Sequence, residues 1–137
     1  MIVLDTNVVS EAMRGLSADE RVRAFLRRLR TRPVTTVINR AEVLAGLAVL
    51  PNGQTKRRLQ TAATTAFGQL GVVLPLTDRC AEHFADITAA RRAMGRPIAA
   101  MDALIASIVR ESAATLATRN LADFSGLGLD LVDPWAR

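Results

Sequence analysis

Four carboxylates, far apart along the chain, are the side chains best suited to carry chemistry. Asp5 follows a short apolar run, and Glu42 lies in the first turn of a helix predicted after a second such run. Asp102 lies in the first turn of a later helix, and Asp123 lies in the loop after a fourth run. If these runs are parallel strands, their carboxyl ends share the edge of the sheet at which ligands bind. We therefore expect the four carboxylates to converge there.

Each acid also has an ordinary structural interpretation. Asp5 could cap the helix that follows it, Asn39 and Glu42 have the spacing of a capping box, and Asp123 could be a loop residue. Asp102 is harder to explain in this way, because a carboxylate directed toward a core needs a partner. It shares a predicted helix face with the apolar residues Ile105, Ala106 and Val109. The functional interpretation depends on the set of four.

Four carboxylates in one pocket need cations to stay ionised. Two of them ~4 Å apart repel by ~4 kcal/mol at an effective dielectric constant of ~20. Arg40, Arg119 or a bound metal ion could supply the positive charge. A site of oxygen ligands alone suits hard cations such as Mg²⁺ or Mn²⁺. Such ions activate water and stabilise in-line attack on phosphate, so the acids indicate chemistry on phosphate esters.

The composition favours a polyanionic partner and excludes several other kinds of site. The 137 residues carry a net charge of +5, which is typical of small domains that bind nucleic acid. One cysteine, Cys80, and one histidine, His83, exclude a disulfide framework and make zinc or histidine-based catalysis a poor fit. The candidate polyanion contacts are Arg27, Arg28, Arg91, Arg92 and Arg96. Any one of them alone is more often a solvated side chain.

Apolar and polar patterning predicts strands that alternate with helices. Strands are predicted at residues 1–5, 33–38, 71–76, 115–118 and 129–132. Helices are predicted at 6–13, 17–30, 39–50, 54–70, 77–94 and 99–112, with start signals at Ser17, Asn39 and Thr77. This alternation indicates an α/β domain with a mostly parallel sheet, spanning residues 1–137 as one unit. With neither a membrane span nor a signal peptide, we expect a cytoplasmic protein without membrane contact.

Several motifs together resemble the PIN-domain family, in particular the VapC and FitB type toxins of bacterial toxin–antitoxin pairs. They are Leu4-Asp5-Thr6-Asn7-Val8, Glu42, Asp102-Ala103-Leu104-Ile105-Ala106 and Ala117-Thr118-Arg119-Asn120-Leu121-Ala122-Asp123-Phe124. The segment 91–98, the closing Gly126-Leu127-Gly128-Leu129 and Pro134-Trp135 strengthen the FitB-like resemblance. Each motif is short, but their order and spacing cover essentially the whole chain.

The resemblance implies a Rossmann-like, three-layer α/β/α domain with a mostly parallel sheet of about five strands. It implies an endoribonuclease that depends on Mg²⁺ or Mn²⁺, forms a homodimer, and is silenced by a cognate VapB- or FitA-like antitoxin. The antitoxin's tail is expected across the active site. Position by position, the family's acidic quartet corresponds to Asp5, Glu42, Asp102 and Asp123, and the polar residues around it correspond to Thr6, Asn7, Thr118 and Asn120.

Two positions depart from the family pattern. Arg40-Ala41 precedes Glu42, where a small hydroxylated residue is common. Asn120 stands where some relatives carry another acid, which suggests one tightly bound ion and a second that binds with the substrate. The alternative function is a catalytically inactive PIN-like module that binds nucleic acid together with an antitoxin partner. The intact quartet argues against that alternative.

Overall fold

The computed structural model describes residues 1–136, and Arg137, the last residue of the predicted domain, lies outside the described residues. The strands within this range are β1 (Ile2–Leu4), β2 (Thr35–Thr36), β3 (Val73–Leu74), β4 (Thr115–Ala117) and β5 (Asp130–Val132). The α-helices are α1 (Thr6–Ala12), α2 (Glu20–Arg28), α3 (Val37–Ala48), α4 (Gln54–Gly68), α5 (Cys80–Ala93) and α6 (Ala100–Glu111). Two short 3₁₀ turns, Gly15–Ser17 and Leu121–Phe124, complete the set.

All strand pairs in the sheet are parallel. β1 pairs with β4 and β4 with β5, while β2 pairs with β3. Val34 joins the two groups, because its N–H donates to the Ile2 carbonyl at 2.9 Å and its carbonyl accepts from the Leu4 N–H at 2.8 Å. The strand order is therefore β3-β2-β1-β4-β5, with every carboxyl end at one edge. The predicted α/β fold is confirmed.

Alternating side chains divide the core between the two faces of the sheet. Val3 and Leu116 pack with residues of α5 and α6. Their neighbours Leu4 and Ala117 pack with residues of α1, α2, α3 and α4 on the opposite face. Since successive residues of a strand point to opposite faces, two helical layers enclose the sheet.

The second strand is shorter than predicted, and the helix after it begins earlier. Val37 and Ile38 are β-branched but belong to α3, because Thr36 is extended and its hydroxyl accepts from the Asn39 N–H at 3.2 Å. Thr36 is thus the cap of α3. The prediction that Asn39 caps this helix is wrong, and Asn39 lies inside the first turn.

Two other helix starts also differ from the prediction. Ser17 ends a 3₁₀ turn, and α2 is capped by Asp19, whose carboxylate accepts from the Arg21 N–H at 2.9 Å. Thr77 lies before α5, which begins at Cys80, and the Thr77 carbonyl accepts from the Cys80 N–H at 3.0 Å. These shifts move no acid away from the carboxyl edge of the sheet.

Candidate active site

Asp5 is at once a helix cap and the centre of a buried hydrogen-bond network. It follows β1, and only 5% of the residue is exposed. Its Oδ1 accepts from the Thr6 N–H at 2.8 Å, which caps α1, and from Asn39 Nδ2 at 3.0 Å. Its Oδ2 accepts from the Thr118 hydroxyl at 2.7 Å. Asp5 can therefore be the cap of α1 and also a member of the acidic site.

Glu42 is tied to Asp5 through two polar side chains. The Thr6 hydroxyl donates to Glu42 Oε1 at 2.7 Å and accepts from Asn39 Nδ2 at 3.0 Å. Asn39 is fully buried, so the amide bridges the first two acids from within the fold. The Glu42 carboxylate accepts from Thr6, on α1, and does not form the predicted capping box with Asn39.

The other three acids affect the pKa of Asp102. It is half-buried in the first turn of α6. Burial, followed by the negative charges of Asp5, Asp123 and Glu42, raises the pKa of Asp102 from 3.8 to about 6, and the positive charge of Arg91 opposes this increase. An acid is affected in this way only by charges that lie close to it. The structure thus brings all four predicted acids into one electrostatic neighbourhood.

Asp123 is positioned by its backbone. It lies in the 3₁₀ turn Leu121–Phe124, which the buried Phe124 ring anchors in the core. Arg91, only 4% exposed, donates from Nη1 to the Asp123 carbonyl at 2.6 Å and from Nε to the Arg96 carbonyl at 2.8 Å. Arg91 therefore holds the loop that carries the fourth acid.

The remaining polar residues predicted for the site form a chain of contacts beside Asp5. Asn7 Nδ2 donates to the Thr118 hydroxyl at 3.4 Å, and Asn7 Oδ1 accepts from the Arg119 N–H at 3.3 Å. The Asn120 N–H donates to the same Thr118 hydroxyl at 3.0 Å. Asn120 therefore contributes its backbone to this network.

Arg40 and Arg119, the two arginines considered as countercharges, are engaged elsewhere. The Arg40 guanidinium lies 5.8 Å from the centroid of the Phe67 ring, and that of Arg119 lies 4.9 Å from the centroid of Trp135. None of the ion pairs formed within residues 1–136 includes Asp5, Glu42, Asp102 or Asp123. The repulsion among the acids is thus not relieved by a direct partner from this part of the chain.

The donor set of the site consists of carboxylate oxygens, which suits a hard divalent cation. In residues 1–136, no three acidic, histidine or cysteine side chains are gathered to hold an ion as they stand. An ion would therefore have to draw the carboxylates together. The residues fit such an ion because their ligand atoms are all carboxylate oxygens and because their negative charges act on one another.

The arginines predicted to contact a polyanion occupy different environments. Arg91 is buried and belongs to the loop support described above. Arg96 is exposed and donates from Nη2 to the Ala122 carbonyl at 3.2 Å, beside the fourth acid, while Arg92 is exposed near the end of α5. Arg27 and Arg28 lie on α2, where Arg27 pairs with a glutamate at 2.7 Å. Arg96 is the exposed member of this set that contacts the acidic loop.

An apolar cavity of about 380 Å³ opens beside Glu42, between α1, α3 and α4. Its walls include Met13, Leu47, Leu50 and Leu59, and Thr6 and Glu42 form its polar end. The cavity therefore continues directly from the acidic site.

Asn39 is the functional side chain that sequence reasoning missed. Its signal was present, because Asn39, Val43 and Leu47 recur every four residues and form the buried face of α3. An amide on an otherwise apolar stripe requires a buried hydrogen-bond partner. Asp5 and Thr6 supply that partner.

Together these features define a Rossmann-like α/β domain with an acidic site at the carboxyl edge of a parallel sheet. The family model of the PIN domain matches residues 2–126. The chain belongs to the PIN-domain family.

Relatives with this fold are similar over their full length. Toxin FitB of Neisseria gonorrhoeae is 35% identical over 98% of this chain and 99% of its own. VapC ribonuclease Y4jK of Sinorhizobium fredii is 33% identical over 98% of each chain. The crystal structure of FitAcB from Neisseria gonorrhoeae superposes with a TM-score of 0.89, at 33% identity and over 100% of both chains. The predicted resemblance to VapC and FitB type toxins is confirmed.

Of the helices within residues 1–136, none has the length and apolar character needed to cross a bilayer.

Proposed function

We propose that this chain is a metal-dependent endoribonuclease that acts as the toxin of a bacterial toxin–antitoxin pair. The observation that carries the proposal is the environment of Asp102, whose pKa is raised by burial and by three carboxylates from three other segments. Such mutual repulsion costs stability, and it is relieved when a divalent cation binds. The similarity to a VapC ribonuclease and to Toxin FitB supports the same activity.

The residues would divide the work at the site as follows. Asp5 and Asp102 would be the principal ligands of Mg²⁺ or Mn²⁺, and Glu42 and Asp123 would complete the pocket and orient the attacking water. When bound, the ion supplies Lewis-acid stabilisation and an activated water for in-line attack on a phosphodiester. Thr118 fixes the orientation of Asp5, at 2.7 Å.

RNA is the proposed substrate because the chain as a whole is basic while the site itself is acidic. The net charge of +5 attracts a polyanion by long-range electrostatics. Arg96 lies exposed against the loop of the fourth acid. We propose that Arg96 contacts the RNA backbone there, with the exposed Arg92, near the end of α5, as a weaker contact. We keep Arg27 and Arg28, on α2, as weaker proposed contacts.

An RNA cleavage assay with partner-free protein tests the activity. The parent chain is compared in Mg²⁺, Mn²⁺ and EDTA with Asp102→Asn, which also detects a contaminating nuclease. Asp130→Asn is the matched control, because Asp130 is an exposed acid at the start of β5, opposite the carboxyl edge. We expect metal-dependent cleavage by the parent and the control alone. Equal cleavage by Asp102→Asn would refute the site, and metal-independent RNA binding without cleavage would indicate the inactive module.

We propose a VapB- or FitA-like antitoxin as the protein partner. Solved relatives include the structure of FitAB bound to an IR36 DNA fragment, with a TM-score of 0.86 and 33% identity. The apolar cavity beside Glu42 offers a surface on which a partner segment would also cover the acids. Co-purification of a co-expressed antitoxin should be lost in Leu59→Glu, at the cavity wall. It should persist in Leu16→Glu, whose side chain is already exposed.

We also propose that residues 1–137 form one domain and that the chain forms a homodimer. The two core clusters share a single sheet, which supports the first proposal. Light scattering of the purified chain checks the second.

A further inference from the structure

Arg119 is an exposed cation at the carboxyl edge of the sheet, and the proposed reaction so far gives it no role. It is the second residue after β4, between Thr118, whose hydroxyl binds Asp5, and Asn120. Its N–H donates to Asn7 Oδ1 at 3.3 Å, and Asn7 in turn donates to the Thr118 hydroxyl. The backbone of Arg119 is therefore fixed relative to the first acid.

The Arg119 side chain is oriented by an aromatic ring. Its guanidinium carbon lies 4.9 Å from the centroid of Trp135, a residue that is only 6% exposed and packs in the core. A guanidinium that stacks on a ring keeps its in-plane N–H groups available for an anion. Because stacking already restricts the side-chain rotamers, less conformational entropy is lost when an anion binds.

The positive charge of Arg119 is not committed to an ion pair within residues 1–136. The carboxylate of Asp19 senses this charge, but Asp19 pairs with Arg21 at 2.8 Å. Arg119 is thus an oriented cation at the carboxyl edge with donors to spare.

A polyanion that approaches four carboxylates is repelled unless a cation lies next to them. Arginine binds phosphate through two parallel N–H groups, which fixes both distance and direction. We propose that Arg119, held against Trp135, binds a backbone phosphate of the RNA that flanks the phosphate at the acids. This inference rests on the proposed RNA substrate. In this role Arg119 is a substrate-binding residue, which holds the strand beside the acids.

Binding without cleavage tests this inference. The Asp102→Asn chain binds a fluorescein-labelled oligouridylate, and fluorescence anisotropy follows its affinity over a range of NaCl concentrations. Adding Arg119→Gln should weaken binding several-fold, and should reduce the slope of log K against log salt by roughly 0.7, the value for one phosphate contact on a single strand. Arg119→Lys should keep the slope but lose affinity, because lysine retains the charge without the planar stack.

Arg79→Gln is the matched control. Arg79 is exposed and lies 3.9 Å from Glu111, at the end of α6 away from Asp102. If Arg119→Gln and Arg79→Gln change the slope equally, or if the Asp102→Asn chain does not bind the oligonucleotide, the inference is refuted.

Steady-state cleavage separates this inference from the proposed activity. With Arg119→Gln in an otherwise unchanged chain, KM should rise several-fold while kcat changes little, because a flanking phosphate is held equally in the ground and transition states. A parent chain that never cleaves RNA refutes the nuclease but leaves the salt-slope result standing. A parent that cleaves, with a KM unaffected by Arg119→Gln, refutes the role of Arg119 alone.

Discussion

Replacing Asp102 with asparagine should make the metal-free protein more stable at neutral pH. The folded state raises the pKa of this carboxyl to about 6, through burial and the charges of Asp5, Asp123 and Glu42. At pH 7, folding therefore moves an ionised carboxylate into surroundings that disfavour its negative charge. Asparagine has nearly the same shape and no charge, so this free-energy cost disappears.

The size of the effect follows from the pKa. The difference between the ordinary value of 3.8 and about 6 corresponds to ~3 kcal/mol, at ~1.4 kcal/mol for each factor of ten. Asp102 is half-buried, and solvent screens part of this interaction, so we expect a gain of ~1–2 kcal/mol in the free energy of unfolding. For a domain of this size, that gain raises Tm by roughly 3–8 °C.

Thermal unfolding followed by circular dichroism in EDTA measures this gain. The unfolded chain releases the Asp102 proton at a lower pH than the folded chain, so this group makes the parent less stable as pH rises from about 4 to about 6. Above about pH 6 the contribution is constant. The advantage of Asp102→Asn should therefore be full at pH 7 and small at pH 4.

Two comparisons decide whether the electrostatic reasoning holds. Asp130→Asn, at an exposed position at the start of β5, should leave Tm almost unchanged. Mg²⁺ or Mn²⁺ should raise the Tm of the parent, since a ligand of the folded state stabilises it, and should raise that of Asp102→Asn far less. A Tm of Asp102→Asn at or below that of the parent at pH 7 in EDTA would refute the argument.

Three further substitutions probe the supports of the site. Thr118→Val should lower the free energy of unfolding by ~1–2 kcal/mol in urea titrations, because Asp5 loses a buried donor, and Thr118→Ser should restore most of it. Arg91→Met should cost roughly 2–3 kcal/mol and speed amide exchange in residues 121–126, and unchanged exchange there would contradict its role. Gly126→Ala should cost ~1–2 kcal/mol at its φ of 76°. It should cost only slightly more than Gly128→Ala in thermal melts, because the new Cβ meets only the flexible end of the exposed Met94 side chain, which can shift.

The framework of the site could be predicted because its signals are local. The run Ile2-Val3-Leu4 ends on an acid, and a short buried strand followed by a capped helix accounts for both features. The apolar segments around Leu116 and Leu131 predicted β4 and β5 in the same way. Once the strands are parallel, the position of their carboxyl ends follows from geometry. The convergence of the acids was therefore predictable without any contact being known.

The capping of α3 could not be predicted from propensity alone. The sequence Val34 to Ile38 is β-branched throughout, which favours a strand over its whole length. In the structure the strand stops at Thr36, because that hydroxyl caps the helix and the helix places Asn39 beneath Asp5. Tertiary hydrogen bonds decide this boundary, and a local pattern does not contain them.

The buried position of Arg91 was similarly hidden. Two adjacent arginines near a helix end are typical of a solvated face, and Arg92 is indeed exposed. Arg91 is buried because two carbonyls converge on its guanidinium, that of Arg96 just beyond α5 and that of Asp123 in a distant loop. Only the path of the loop after β4 reveals these acceptors.

The hydrogen bonds around the acids explain how the site stays negative while its geometry is fixed. Thr118 and Asn39 orient Asp5, and Thr6 orients Glu42, so every donor identified here is neutral. A neutral donor fixes a carboxylate without cancelling its charge, whereas a direct guanidinium partner would compete with a divalent cation for the same oxygens. Arg91 donates its hydrogen bonds to backbone carbonyls and leaves the Asp123 side chain out of them. Within residues 1–136 the acids therefore form no ion pair, and burial together with their mutual repulsion raises the pKa of Asp102 at a cost in stability.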